Sequence, residues 1–168
     1  MSLALLKAST KISLSTSAKG DISTARILVA FLSRGAAVSV PWGNCQRYDL
    51  VLDTGNRLLR VQVKTARYLA GAVEFKSCST SAFNKSRRHY GREEVDLFAV
   101  YSPHNDKIYI VPQKEVTRTV TRLRLDHPKN GQQLGVRDAR AYEIDAVWNK
   151  LIGALNSSAL REAGDMML

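Results

Sequence analysis

Residues 47–67 read RYDLVLDTGNRLLRVQVKTAR, two apolar-alternating runs with turn chemistry between them. Successive side chains of a strand point to opposite faces. Val61 and Val63 therefore share one face, and Arg60, Gln62 and Lys64 the other. On the first run Tyr48, Leu50 and Leu52 share a face, with Asp49, Val51 and Asp53 opposite. Asp53 is expected to bond local backbone at the turn. A four-residue loop from Thr54 to Arg57 pairs Asp53 with Leu58 and sets Asp49 across from Gln62. One carboxylate, one amide and one ammonium then converge at a sheet edge.

Upstream, Ser15, Thr16 or Ser17 caps a predicted helix that runs to about Arg34. Ala18, Ile22, Ala25, Val29 and Leu32 recur along it at helical spacing, and Gly35 is a natural stop. A short strand follows at Ala37–Pro41. Downstream, Ala72–Lys76 reads as a short strand, and residues 77–92 as a polar, basic loop. VDLFAVY at 95–101 is a nearly continuous apolar run, the pattern of a strand buried on both faces. KIYIV at 107–111 is its partner across a His104-Asn105-Asp106 turn. Residues 117–140 are basic and irregular in pattern, and Ala146–Leu155 reads as a helix. Strands and helices interspersed in this way predict an α/β (α+β) domain over 18–156. A loosely ordered segment over 1–17 and a frayed tail over 157–168 flank it.

The chain has 168 residues, 45% of them apolar, enough for one domain with a real core. Lysine and arginine outnumber the acids 25 to 15, a net charge of +10, which points to a polyanionic partner. Cys45 and Cys78 form neither metal-ligand spacing nor a disulfide framework, which fits a reducing, cytoplasmic location, nucleoid-associated if the polyanion is DNA. No run approaches membrane-spanning length, the first residues lack a signal-peptide pattern, and no glycine-rich phosphate loop is present. A membrane partner and a nucleotide cofactor are therefore not expected.

Hydrolysis of a phosphodiester needs a nucleophilic water and charge neutralisation at phosphorus. Mg²⁺, with Mn²⁺ as a substitute, supplies both where carboxylates hold it and leave positions open. Asp49 is the first candidate ligand. Gln62 offers a side-chain oxygen and Val63 its backbone carbonyl. Lys64 is placed to orient the water and stabilise developing negative charge. A second acid is wanted, and Asp21, near the start of the first helix, is the candidate. The same alternation also describes the wet face of an ordinary hairpin.

Wider stretches carry a resemblance. They are Lys19-Gly20-Asp21-Ile22, Val40-Pro41-Trp42-Gly43, Arg47-Tyr48-Asp49-Leu50 and Arg60-Val61-Gln62-Val63-Lys64-Thr65. Val95–Tyr101, Ile108–Pro112, RLRLDHPKNGQQ at 122–133 and Arg140-Ala141-Tyr142-Glu143 continue it. Over residues 19–145 the chain resembles the PD-(D/E)XK nuclease superfamily, and within it the small bacterial branch of intron-associated or homing-type endonucleases. The resemblance implies a restriction-endonuclease-like core in the order α-β-β-β-(α)-β-β-α. It implies Asp49 as the metal-binding aspartate, Gln62 at the (D/E) position, Lys64 as the catalytic lysine and Asp21 in the helix that often supplies another acid. Two departures bear on the site. Tyr48 stands where the superfamily name has proline, and Gln62 replaces a carboxylate, as it does in relatives of this branch. In related junction resolvases the helix acid lies three residues after Asp21, where this chain has Thr24.

Lys85, Arg87, Arg88 and Arg92, interleaved with Phe83 and Tyr90, form a basic aromatic loop suited to DNA contact. A second basic set comprises Arg118, Arg122, Arg124, Lys129, Arg137 and Arg140. Trp42 and Trp148 read as packing residues. The function expected is a Mg²⁺-dependent endonuclease on double-stranded DNA, site-specific in the homing manner. It would act as a homodimer or homotetramer, since cutting both strands takes two centres. The rivals are a DNA-binding protein of the same fold with a weakened or lost site, favoured by Gln62, and a basic RNA-binding domain.

Overall fold

The computed structural model describes residues 13–152, apart from 44, 56, 82 and 127–134. Expectations for the tail, for Leu155, for Lys129 and for residues 1–12 lie outside them. Helix α1 (Thr16–Leu32) leads into β1 (Ala37–Ser39), β2 (Leu50–Asp53) and β3 (Leu58–Thr65). Then come β4 (Arg67–Leu69), β5 (Ala72–Lys76), β6 (Cys78–Thr80) and β7 (Arg87–His89). The chain continues with β8 (Leu97–Ser102), β9 (Lys107–Pro112), β10 (Val120–Arg124) and α2 (Ile144–Ile152). The result is a mixed α+β fold. Among the described residues no helix is long and apolar enough to cross a membrane.

The main sheet has five strands in the order β1-β2-β3-β8-β9. The β2–β3 hairpin closes as the turn chemistry predicts, with Asp53 opposite Leu58. The Thr54 N–H and hydroxyl each donate to the Arg57 carbonyl at 3.0 Å. The Asp53 carboxylate accepts from the Gly55 N–H at 2.7 Å, and Gly55 takes a φ of +84°, which glycine adopts at no steric cost. β3 pairs with β8 in parallel, from Val61–Leu97 to Thr65–Tyr101, while the other pairs of this sheet are antiparallel. Every residue of β8 is buried, as its apolar run predicts. The crossover from β3 to β8 carries β4 and β5, which β10 from beyond β9 completes into a three-stranded side sheet, β10-β5-β4, and the two-stranded β6–β7 hairpin.

Two cores result, one on each face of the main sheet. On one, Ile27 and Phe31 of α1 and Trp148 of α2 meet Leu50, Leu52, Val61, Val63, Leu97 and Ala99. Phe31 stacks on Trp148 with centroids 5.7 Å apart. On the other, Phe98, Val100, Tyr109 and Val111 meet Val73, Phe75, Leu123 and Tyr90. Burying Ile27 or Phe31 contributes about 1.5–3 kcal/mol each.

The structure corrects several expectations. Helix α1 is capped by Ser15, one of the three caps expected, whose hydroxyl accepts from the Ala18 N–H at 3.1 Å, but it ends at Leu32, short of Arg34. It buries Ser23, Ile27 and Phe31 instead of the predicted stripe; Ile22, Val29 and Leu32 are 42%, 60% and 51% exposed. The larger Phe31 and Ile27 select the face. Ser23 can follow them inside because its hydroxyl bonds both the Lys19 carbonyl at 2.9 Å and Thr65 Oγ1 at 2.6 Å. Tyr48 leaves the Leu50–Leu52 face and packs against the second core, because regular alternation begins only at Leu50. β1 stops at Ser39, two residues before Pro41, which has no N–H to extend a ladder. Residues 77–92 contain the β6–β7 hairpin, and 117–140 contain β10, whose buried Thr121 and Leu123 alternate with arginines. Trp148 is a packing residue, but Trp42 is fully exposed.

Candidate active site

The ladder between β2 and β3 ends at Leu50–Val61, one pair short of Asp49. Beyond it the Asp49 side chain takes over the role of a strand. Its backbone N–H still donates to the Val61 carbonyl at 2.9 Å. Its Oδ2 accepts the Val63 N–H at 2.7 Å, a donor that would otherwise be orphaned. The same oxygen accepts the side-chain amide of Gln62. The Gln62 nitrogen also lies 3.4 Å from the Val63 carbonyl oxygen. Asp49, Gln62 and Val63 thus meet at one point, with Gln62 and Val63 only 7% and 8% exposed. Burial pushes the Asp49 carboxyl above its ordinary value; the Val63 N–H, the Lys64 charge and the Gln62 amide pull the other way.

This donor set fits a hard divalent cation. The Gln62 amide nitrogen stands within reach of Asp49 Oδ2 and the Val63 carbonyl, two hard oxygen donors. Turned over about its last torsion, the amide presents Oε1 to the same spot, since its two ends have nearly the same shape. Among the described residues no group of three or more His, Cys, Asp or Glu could hold a metal, so the negative charge here is that of Asp49.

Lys64 shares a strand face with Arg60 and Gln62, as alternation predicts, but Gln62 is buried there and the three are used differently. Arg60 is committed to Asp96, with Nε 3.0 Å from Oδ2 and Nη2 3.1 Å from Oδ1. Lys64 donates its Nζ to the Tyr90 hydroxyl at 3.0 Å. Arg47, two residues before Asp49, lies over the same tyrosine ring at 4.3 Å.

Asp21 is exposed on α1 and makes no hydrogen bond or ion pair to Asp49, Gln62 or Lys64 among the described residues. The helix instead meets β3 one residue past Lys64, through Ser23 and Thr65. Thr24 bonds the Gly20 carbonyl at 3.1 Å.

The basic loop is a hairpin arm. Lys85, Arg87, Arg88 and Arg92 are exposed on or beside it, and Phe83, near its tip, is 98% exposed. Arg88 pairs with Glu94, which accepts the Gly91 N–H at 3.0 Å and lies 3.3 Å from Arg47 Nε. Tyr90 is turned inward, 7% exposed. Of the second basic set, Arg122 bonds Glu74, Arg124 the Ala70 carbonyl and Arg140 Asp138. Sequence reasoning passed over Arg47 and Glu94; the one signal for Arg47 is a cation beside the Tyr48-Asp49 pair.

Comparison with known proteins bears on the fold and the family. A solved structure of a bacterial homing endonuclease, I-Ssp6803I, superposes with a TM-score of 0.67 at 24% identity, over 84% of this chain and 95% of that one. It establishes the likeness of fold. No curated protein matches the chain. A family model described as PD-(D/E)XK endonuclease matches residues 14–145, a span that takes in α1, the hairpin with Asp49 and Lys64, the basic arm and the three strands beyond it. By that match the chain belongs to the PD-(D/E)XK endonuclease family, and it is an endodeoxyribonuclease.

Proposed function

We propose that this protein hydrolyses phosphodiester bonds of double-stranded DNA with Mg²⁺ held by Asp49, the Gln62 side-chain oxygen and the Val63 carbonyl. The observation that carries the reading is the meeting of Asp49 Oδ2, the Gln62 amide and the Val63 carbonyl beside Lys64. Bound there, the cation supplies an activated water and neutralises charge at the phosphate. Lys64 directs ammonium protons at the scissile phosphate, where negative charge develops. Asp49 anchors the loop ahead of β2, so its carboxylate is oriented before any ligand arrives.

Lys85, Arg87, Arg88 and Arg92 hold the DNA backbone, and the exposed rings of Trp42 and Phe83 lie against sugar or base surfaces. Asp21 joins as a further acid near the phosphate rather than as part of the Asp49 cluster. Two copies, as a homodimer or a homotetramer of two dimers, cut the two strands at one site, in the manner of a homing-type enzyme at the nucleoid. The second reading is a DNA-binding protein of this fold with a spent site, favoured by one observation, the neutral amide at position 62.

The test incubates the protein with supercoiled plasmid, host genomic DNA and structured RNA, with Mg²⁺ or with EDTA, alongside Lys64→Ala. The expected result is DNA nicking that needs Mg²⁺ and falls by ~10³-fold in the variant, with DNA affinity retained. Tight binding with no cut in any substrate establishes the second reading.

A further inference from the structure

Tyr90 is the last residue before the arm rejoins the body, and it is held from every side. Its ring stands edge-on to Phe98, with centroids 5.5 Å apart. Its backbone carbonyl accepts from the Gln113 side chain at 2.7 Å. Arg47 lies over the ring at 4.3 Å and reaches past it, donating to the His89 carbonyl at 3.0 Å and to Ser79 Oγ at 2.9 Å. Lys64 Nζ sits 5.0 Å from the ring centroid and donates to the hydroxyl at 3.0 Å. A lysine otherwise rotates about four bonds, and fixing it costs about 1.5–2 kcal/mol. The phenol absorbs that cost in the resting protein. It takes one of three ammonium protons, so two remain to point at substrate. Because Tyr90 continues directly from β7, the position of the arm and the position of Lys64 are mechanically one.

We infer that Tyr90 is the positioning residue of Lys64, and that it locks the basic β6–β7 hairpin to the catalytic strand so that DNA held on the arm meets an ammonium already in place. This rests on the nuclease reading of Asp49, Gln62 and Lys64. Tyr90→Phe keeps the ring, its packing on Phe98 and the Arg47 contact, and deletes only the hydroxyl.

The experiment compares wild type, Tyr90→Phe and Lys64→Ala in single-turnover cleavage of supercoiled plasmid and host genomic DNA. It also measures DNA affinity by fluorescence anisotropy and the Lys64 ammonium signal by ¹H–¹⁵N correlation. The expected result for Tyr90→Phe is cleavage slowed by about 10–100-fold, the cost of a misplaced group. DNA affinity stays within about twofold, and the Lys64 ammonium signal, slowed in exchange by the phenol, is lost. A residue with a merely structural role would move the melting temperature and affinity instead. Wild-type cleavage speed in Tyr90→Phe, with Lys64→Ala inactive, overturns the positioning role and leaves the nuclease reading standing. No cleavage by wild type itself overturns the nuclease reading, and the positioning role with it.

Discussion

Asp49 and Glu74 are both carboxylates withdrawn from water, and they titrate in opposite directions. Glu74, on the central strand of the side sheet, is 3% exposed and clamped by Arg67 from β4, with Nε at 2.9 Å, and by Arg122 from β10, with Nε at 2.6 Å. The hydrogen bonds of Arg67 and then Arg122 hold it below the usual carboxylate range. Burial pushes Asp49 above that range, because the groups that touch it, the Val63 N–H and the Gln62 amide, bring no charge. Burial dominates where the contacts are neutral, and two guanidiniums outweigh it where they are charged. Glu74 has spent its charge on two guanidiniums. Asp49 keeps a charge still to be matched, which suits the cation proposed there.

The comparison can be broken at its strongest point by Asp49→Asn. The amide preserves the size of the side chain and can still accept from the Val63 N–H. Cleavage of plasmid DNA is expected to fall by ~10³-fold, because the carboxylate that touches Gln62 and Val63 is gone. Cleavage near wild-type speed would mean that the cation is held elsewhere. Gln62→Glu sharpens the contrast from the other side. It adds the charge that the site lacks and removes the amide donor, leaving two facing carboxylates. Mn²⁺ affinity by titration calorimetry is expected to rise by about tenfold. The metal-free protein should melt lower, and added Mn²⁺ should restore it. An unchanged Mn²⁺ affinity would remove Gln62 from the ligand set.

The smallest effect belongs to Glu74→Gln, with an expected loss of about 1–2 kcal/mol in urea unfolding at neutral pH, since both arginines remain largely in water. The sign follows from its lowered value. The stabilisation is fully present above the ordinary glutamate value of 4.5 and is lost as pH falls through the depressed folded value. Wild type and variant should therefore converge in acid. Parallel curves across that window would show that charge is not what Glu74 contributes.

How much could be read beforehand depended on whether one pattern served one purpose. The β2–β3 hairpin was legible because alternation, turn chemistry and register agree: Asp53 at the turn fixes Leu58, which fixes the face of Lys64. β8 was legible from its apolar run. Helix α1 was legible in extent but not in facing, because it carries two apolar stripes and only size and the Ser23–Thr65 bond choose between them. β4 stayed hidden because its two-residue turn uses Ala70 at φ +48° beside Gly71, where an asparagine would have announced it. β10 stayed hidden because threonine fills an inward position and arginines the outward ones. At the site, sequence order named Asp49, Gln62, Val63 and Lys64. The inward turn of Tyr90 and the bridging by Arg47 were invisible because they join residues far apart in the chain. Trp42 was misjudged because an exposed tryptophan has no sequence signature.

The parallel pairing of β3 with β8 has a consequence in time. Arg60 and Asp96, which bond at its start, lie 36 residues apart in the chain. The β2–β3 hairpin closes over four residues, on a scale of about microseconds, whereas β8 must wait for the intervening strands to close a long loop. Asp49, Gln62 and Val63 are thus gathered by a local event, and Lys64 acquires its fixed direction only when the arm and β8 arrive. If the proposed site is the nuclease centre, a newly made chain gathers its cation ligands before it fixes its lysine, and the capacity to harm DNA is the last to be assembled.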